Sequence, residues 1–71
     1  MDWARIQGDW QYYKELAGRR WARITSADLE IIAGRRELLA NHIQQTYGIS
    51  KNAAQMQLES WQGQQREPDP A

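Results

Sequence analysis

The sequence contains no cysteine. Disulfide staples, thiolate metal sites, cysteine nucleophiles and iron–sulfur clusters are thereby excluded, and the reducing cytoplasm is the compartment that fits. There is one histidine, and the aspartates and glutamates are scattered without ligand spacing, so neither a metal nor another cofactor is expected. Long apolar runs are also missing. The longest are triplets such as Ile31-Ile32-Ala33 and Leu38-Leu39-Ala40, far short of the about 18 residues of a membrane span or the roughly 7 to 15 of a leader. An excess of one charge is lacking too: nine basic residues stand against nine acidic ones, for a formal net charge of zero. Bulk attraction to nucleic acid or an anionic membrane is therefore not expected.

What is present belongs to one small globular domain. Of 71 residues, 41% are hydrophobic and 25% charged, enough apolar material for a core but only a small one. A net stability of about 4 to 10 kcal/mol is expected at this length. No strand alternation occurs. Instead Trp3, Ile6, Trp10, Tyr13, Ala17, Trp21 and Ile24 recur every three or four residues, the period of one helical face. The spacing predicts a first helix over about 3–22, in which Gly8 and Gly18 each cost about 1 kcal/mol against alanine and point to close backbone approach or fraying. Glu15 and Arg19 have the favourable order for a pair one turn apart.

Thr25, with Asp28 three residues on and Ile24 able to pack on Leu29, reads as the start of a second helix that Gly34 breaks. Leu39, Ile43 and Tyr47 form the face of a third helix over about 35–47, closed by Gly48 and backed by Ile49. Ser50 then caps a fourth, with Ala54, Leu58 and Trp61 inward. From Gln62 two prolines appear and large apolar residues stop, so 1–61 reads as the folded domain and 62–71 as a disordered tail. The expected fold is all-α, a compact bundle of about four short helices.

The runs Trp3-Ala4-Arg5-Ile6-Gln7-Gly8-Asp9-Trp10, Ile24-Thr25-Ser26-Ala27-Asp28-Leu29 after Trp21, Ile32-Ala33-Gly34-Arg35-Arg36 and Ile43-Gln44-Gln45-Thr46-Tyr47-Gly48-Ile49-Ser50-Lys51 resemble the CsbD-like family in order and spacing over residues 3–61. The resemblance implies a small cytoplasmic bacterial protein of the general stress response with no established enzymatic activity, so no catalytic residues are carried over. The family is richer in Lys and Gly and usually carries an Asp run before its second helix. Ser26-Ala27 and Leu38 stand here instead, so lysine-dependent binding is not carried over.

Candidate chemistry is sparse. His42 precedes the inward Ile43 and has no carboxylate three or four residues away, which makes it a surface residue and not a general base. Ser26 and Ser50 lie at helix starts, where capping accounts for them, and Ser60 forms no triad with His42. A four-helix domain with about fifteen core side chains hardly encloses a pocket of about 300 Å³. The leading expectation is therefore a non-enzymatic, monomeric protein acting through its surface on a macromolecular partner or as an abundant protectant. The rival is a nucleic-acid-binding module, with Trp or Tyr stacking on bases and Arg19, Arg20, Arg23, Arg35 and Arg36 on phosphates. The tryptophans sit on the helical stripes, which favours a core role and makes nucleic acid the weaker reading. Three large side chains miss the stripes: Tyr12 beside Tyr13, Leu38 beside Leu39, and Met56 between Ala54 and Leu58. If they converge near Arg35 and Arg36, they form a partner patch.

Overall fold

The computed structural model describes residues 2–66. Among them five α-helices follow one another with no strand: α1 (Trp3–Gly8), α2 (Trp10–Arg20), α3 (Ser26–Ile32), α4 (Arg36–Tyr47) and α5 (Lys51–Gln64). The expected all-α bundle is what the chain forms. Each helix packs on its neighbour in sequence, α1 on α2, α2 on α3, α3 on α4 and α4 on α5.

The first expected helix is two. It breaks at Asp9 (φ −123°, ψ 45°), whose N–H donates to the Arg5 and Ile6 carbonyls while its own carbonyl accepts from Tyr12 and Tyr13. Gly8 and Asp9 are both poor interior helix residues, and two in succession end one helix and begin another. α2 stops at Arg20, and Trp21 (φ −120°, ψ 72°) leaves the helix. The apolar stripe survives both interruptions, because Ile6, Trp10, Tyr13, Ala17, Trp21 and Ile24 are all buried. Gly18 marks a close approach: a Cβ there would lie 3.3 Å from Leu29 Cδ1 of α3.

α3 begins at the expected residue, with the Thr25 half of the expected capping box formed and, among the described residues, no return bond to the Asp28 carboxylate. Thr25 Oγ1 accepts from the Asp28 N–H at 3.1 Å, and Ser50 Oγ from the Ala53 N–H at 3.1 Å at the start of α5. Thr25→Ala is expected to lower stability by about 0.5 to 2 kcal/mol, read as a shift in the urea midpoint; an unchanged midpoint would show that water serves the freed N–H equally well. The left-handed residue closing α3 is Ala33 (φ 51°), one position before the expected Gly34, which itself has φ 77°. α4 closes on Gly48 (φ 64°) as its sequence indicates.

The core joins the α1–α2 stripe to Leu29 and Ile32 of α3, Leu39, Ala40 and Ile43 of α4, and Ala54, Leu58 and Trp61 of α5. No polar or charged residue among those described is buried. Trp3, Leu38, Tyr47 and Ile49 are half-buried against this cluster. Indole N–H groups reach partners across the fold: Trp3 donates to the Gly34 carbonyl at 2.8 Å, Trp10 to that of Leu29 at 2.9 Å, and Trp21 to Gln57 Oε1 at 2.9 Å.

The expected tail is shorter than its composition indicates, since α5 carries Gln62, Gly63 and Gln64. Gln62 and Gln64 are adequate helix formers that extend a helix already anchored by Trp61, in spite of Gly63 between them. Beyond it, Gln65 Nε2 donates to the Trp61 carbonyl at 2.9 Å and the Arg66 carbonyl accepts from the Tyr13 hydroxyl at 2.8 Å. The disorder expected of residues 67–71 falls outside the described residues.

Candidate functional site

The residues expected to form a partner patch lie on three elements. On α4, Leu38 sits between the inward Leu39 and the N-terminal turn, and is half-buried against the core. Met56 of α5 lies two residues from the buried Ala54 and Leu58, about 160° around the helix from each, and is 64% exposed. Arg36 Nη1 donates to Gln55 Oε1, tying the start of α4 to the residue before Met56. Arg35 is exposed at the N-cap of α4. Tyr12 belongs to α2, 44% exposed, its ring edge-on to Tyr13 at 4.9 Å between centroids. The structure thus joins Arg36 to the Gln55–Met56 segment and leaves Tyr12 with Tyr13.

Tyr13 itself is buried as a ring. Desolvation, with Tyr12 and Asp9 adding to it, raises its hydroxyl above the ordinary tyrosine value, so the group stays a donor to the Arg66 carbonyl.

A second feature gathers at the corner where α2 turns into α3. Arg19, Arg20 and Arg23 are exposed there within five residues. The Arg20 guanidinium carbon lies 5.3 Å from the Trp21 ring centroid, and that of Arg23 lies 5.9 Å from the Tyr47 ring. The Arg23 backbone N–H also donates to the Tyr47 hydroxyl at 3.1 Å. A groove of about 690 Å³ runs from this corner between α2 and α3, with Ile24 and Leu29 in its lining and Arg19 and Ala22 at the corner end. Its rim is mostly exposed residues, so it is a surface groove, larger than the compact fold led us to expect. Lys14 and Glu30 form an ion pair across it, from α2 to α3.

Comparison with known proteins finds bacterial relatives over most of the chain. A UPF0337 protein of Rhodopseudomonas palustris is 34% identical over 61 residues, which cover 86% of this chain and 92% of that protein. A UPF0337 protein of Agrobacterium fabrum is 37% identical over 65 residues, 92% of this chain and 97% of its own. The chain belongs to the UPF0337 family. The UPF0337 protein YjbJ of Escherichia coli K12 is 33% identical over 55 residues, 78% of this chain and 80% of that protein. These names give a family and state no activity. No family model and no solved structure matches the chain.

Within this UPF0337 protein the remaining candidates take ordinary places. His42, expected at the surface, is instead half-buried on α4 beside the inward Ile43, while Ser50 is the N-cap of α5, Ser26 is the first residue of α3, and Ser60 is exposed on α5. Trp10, Trp21 and Trp61 are in the core, where the stripes put them, and Trp3 is half-buried. Their rings pack together, Trp61 lying 5.9 Å from Trp3 and 5.5 Å from Trp21. No helix among the described residues is long and apolar enough to cross a membrane. Sequence reasoning missed Ile31, which is 67% exposed. The signal was present in the doublet Ile31-Ile32, since adjacent helical residues point about 100° apart and only one can face a narrow core.

Proposed function

We propose that this UPF0337 protein is a non-enzymatic, cytoplasmic protein of the general stress response, as its resemblance to the CsbD-like family implies, and that it acts as a monomer through its surface on a macromolecular partner. The observation that carries the reading is the exposure of Met56 beside the Arg36–Gln55 bond, with Leu38 half-buried on the facing helix. A large apolar side chain held in water and bordered by arginine has the composition of an interface centre.

The test is capture of partners from stressed cells by the native protein, set against the Met56→Glu variant and the Leu38→Glu, Met56→Glu double variant. Met56→Glu is expected to leave the denaturation midpoint within about 0.5 kcal/mol, because the site is exposed, while weakening capture. The double variant is expected to cost about 1 to 3 kcal/mol, since Leu38 touches the core. Undiminished capture by a folded Met56→Glu variant would remove this face from the function. A protein level that does not rise in stressed cells would remove the stress assignment.

A further inference from the structure

We infer that the α2–α3 corner, with the groove that opens from it, binds an acidic peptide segment carrying an apolar side chain. This goes beyond the α4–α5 reading and stands on a different surface. Arg36 and Tyr47 lie at opposite ends of α4, eleven residues or about 16 Å apart, and the corner is at the Tyr47 end.

The charge distribution comes first. Residues 19–23 hold three of the nine basic side chains and none of the nine acidic ones, so the remainder has six against nine. A chain with no net charge is therefore polarised, three positive charges at one corner against three negative elsewhere. Among the described residues none of Arg19, Arg20 and Arg23 makes an ion pair, not even Arg19 with Glu15 one turn back. Arg19 and Arg20 complement the carbonyl end of α2. Arg23 lies beyond that helix, and its position is set instead by Tyr47.

The second observation is how two of these cations are held. Arg20 and Arg23 lie over aromatic rings, Trp21 and Tyr47. An aromatic face attracts the positive charge without taking up the guanidinium N–H groups, so the planar fork of donors remains available. Two forks restrained in this way lose less side-chain freedom when a carboxylate engages them than free surface arginines do. Carboxylates are the matched acceptors, accepting two parallel N–H donors from one fork.

The groove decides the rest of the ligand. Its charges cancel, Lys14 with Glu30 by contact and Arg19 against Glu15 in number, while the exposed Ala22 and the outer edges of the otherwise buried Ile24 and Leu29 give it an apolar strip. An apolar side chain next to the acidic residues has a place to lie. A nucleic acid fits less well: the ring under Arg20 belongs to the buried Trp21, which gives no open face for base stacking, and three cations are fewer than the about 6 to 10 phosphate contacts of a strong binder.

The experiment is a fluorescence anisotropy titration of the full chain with three labelled probes: a peptide alternating pairs of Glu with single Leu, its analogue with Ser for Glu, and an oligothymidylate of similar length. Intrinsic tryptophan emission, to which Trp21 under Arg20 contributes, gives an independent readout. The acidic peptide is expected to bind, with affinity falling about tenfold in an Arg20→Gln, Arg23→Gln double variant and holding in Lys51→Gln, which removes a charge from the exposed start of α5. Arg20→Lys, Arg23→Lys keeps the charge and removes the fork; it is expected to lose several-fold, and it serves if the glutamine variant does not fold. The inference is overturned by no binding of the acidic peptide at millimolar concentration, by equal binding of the Ser analogue, by equal losses in Lys51→Gln and the corner variants, or by tighter binding of the oligothymidylate. Loss of partner capture in Met56→Glu with peptide binding intact would separate the two surfaces.

Discussion

Gly34→Ala is expected to destabilise the protein by about 2 to 5 kcal/mol. Gly34 has φ 77°, where a side chain costs roughly 1 to 2 kcal/mol. A Cβ there would also lie 2.9 Å from Gln7 Cα, 3.1 Å from Gln7 Cγ and 3.2 Å from the Gln7 carbonyl oxygen. Two of those atoms are backbone and cannot swing aside, so α1 as a whole must retreat, at about 1 to 3 kcal/mol for overpacking. Retreat strains another contact, because the Trp3 indole N–H bonds to the carbonyl of Gly34 itself. Against a total of about 4 to 10 kcal/mol this is a large fraction. Urea denaturation followed by circular dichroism measures it; a midpoint within error of the parent would show that α1 moves freely on the bundle.

Trp21→Ala is expected to cost about 3 to 5 kcal/mol, roughly a third or more of the stability of the whole chain. The indole is buried, packs 5.5 Å from the Trp61 ring and donates to Gln57 of α5. Its removal opens a cavity where the α2–α3 turn meets α5. Trp21→Phe separates the contributions, since it keeps most of the apolar volume and drops the N–H. About 1 to 2 kcal/mol is expected there, as Gln57 is only half-buried and water can reach it. If Trp21→Ala instead shifts the midpoint by under 1 kcal/mol, the tryptophan cluster is not the centre of the core.

Much of this was legible from residue order. Three- and four-residue spacing placed most of the inward residues, though Trp3 and Tyr47 are only half-buried and the buried Ala40 lay off the expected stripe, and hydroxyls at Thr25 and Ser50 marked two helix starts, because capping and periodicity depend on neighbours within one turn. The break at Asp9 was not read, since a stripe that keeps its phase through an interruption looks like one helix. Nor was the αL residue Ala33, since alanine has no preference for that conformation and nothing local marks it. Of the expected patch, the exposure of Met56 was legible from its angle on the helix, while the half-burial of Leu38 depends on how α4 meets the rest of the core.

The sequence by itself determined that this is a small all-α domain, which side of each helix is buried, and where α3 and α5 begin, all consequences of interactions between residues a few positions apart. Only the tertiary structure decided that Trp3 and Trp10 bond to the carbonyls of Gly34 and Leu29, 31 and 19 residues away, that Tyr13 reaches Arg66, and that Arg20 and Arg23 lie on aromatic rings. Those contacts depend on how whole helices cross. Crossing is set by the joint packing of side chains from several elements, which no local pattern along the chain encodes.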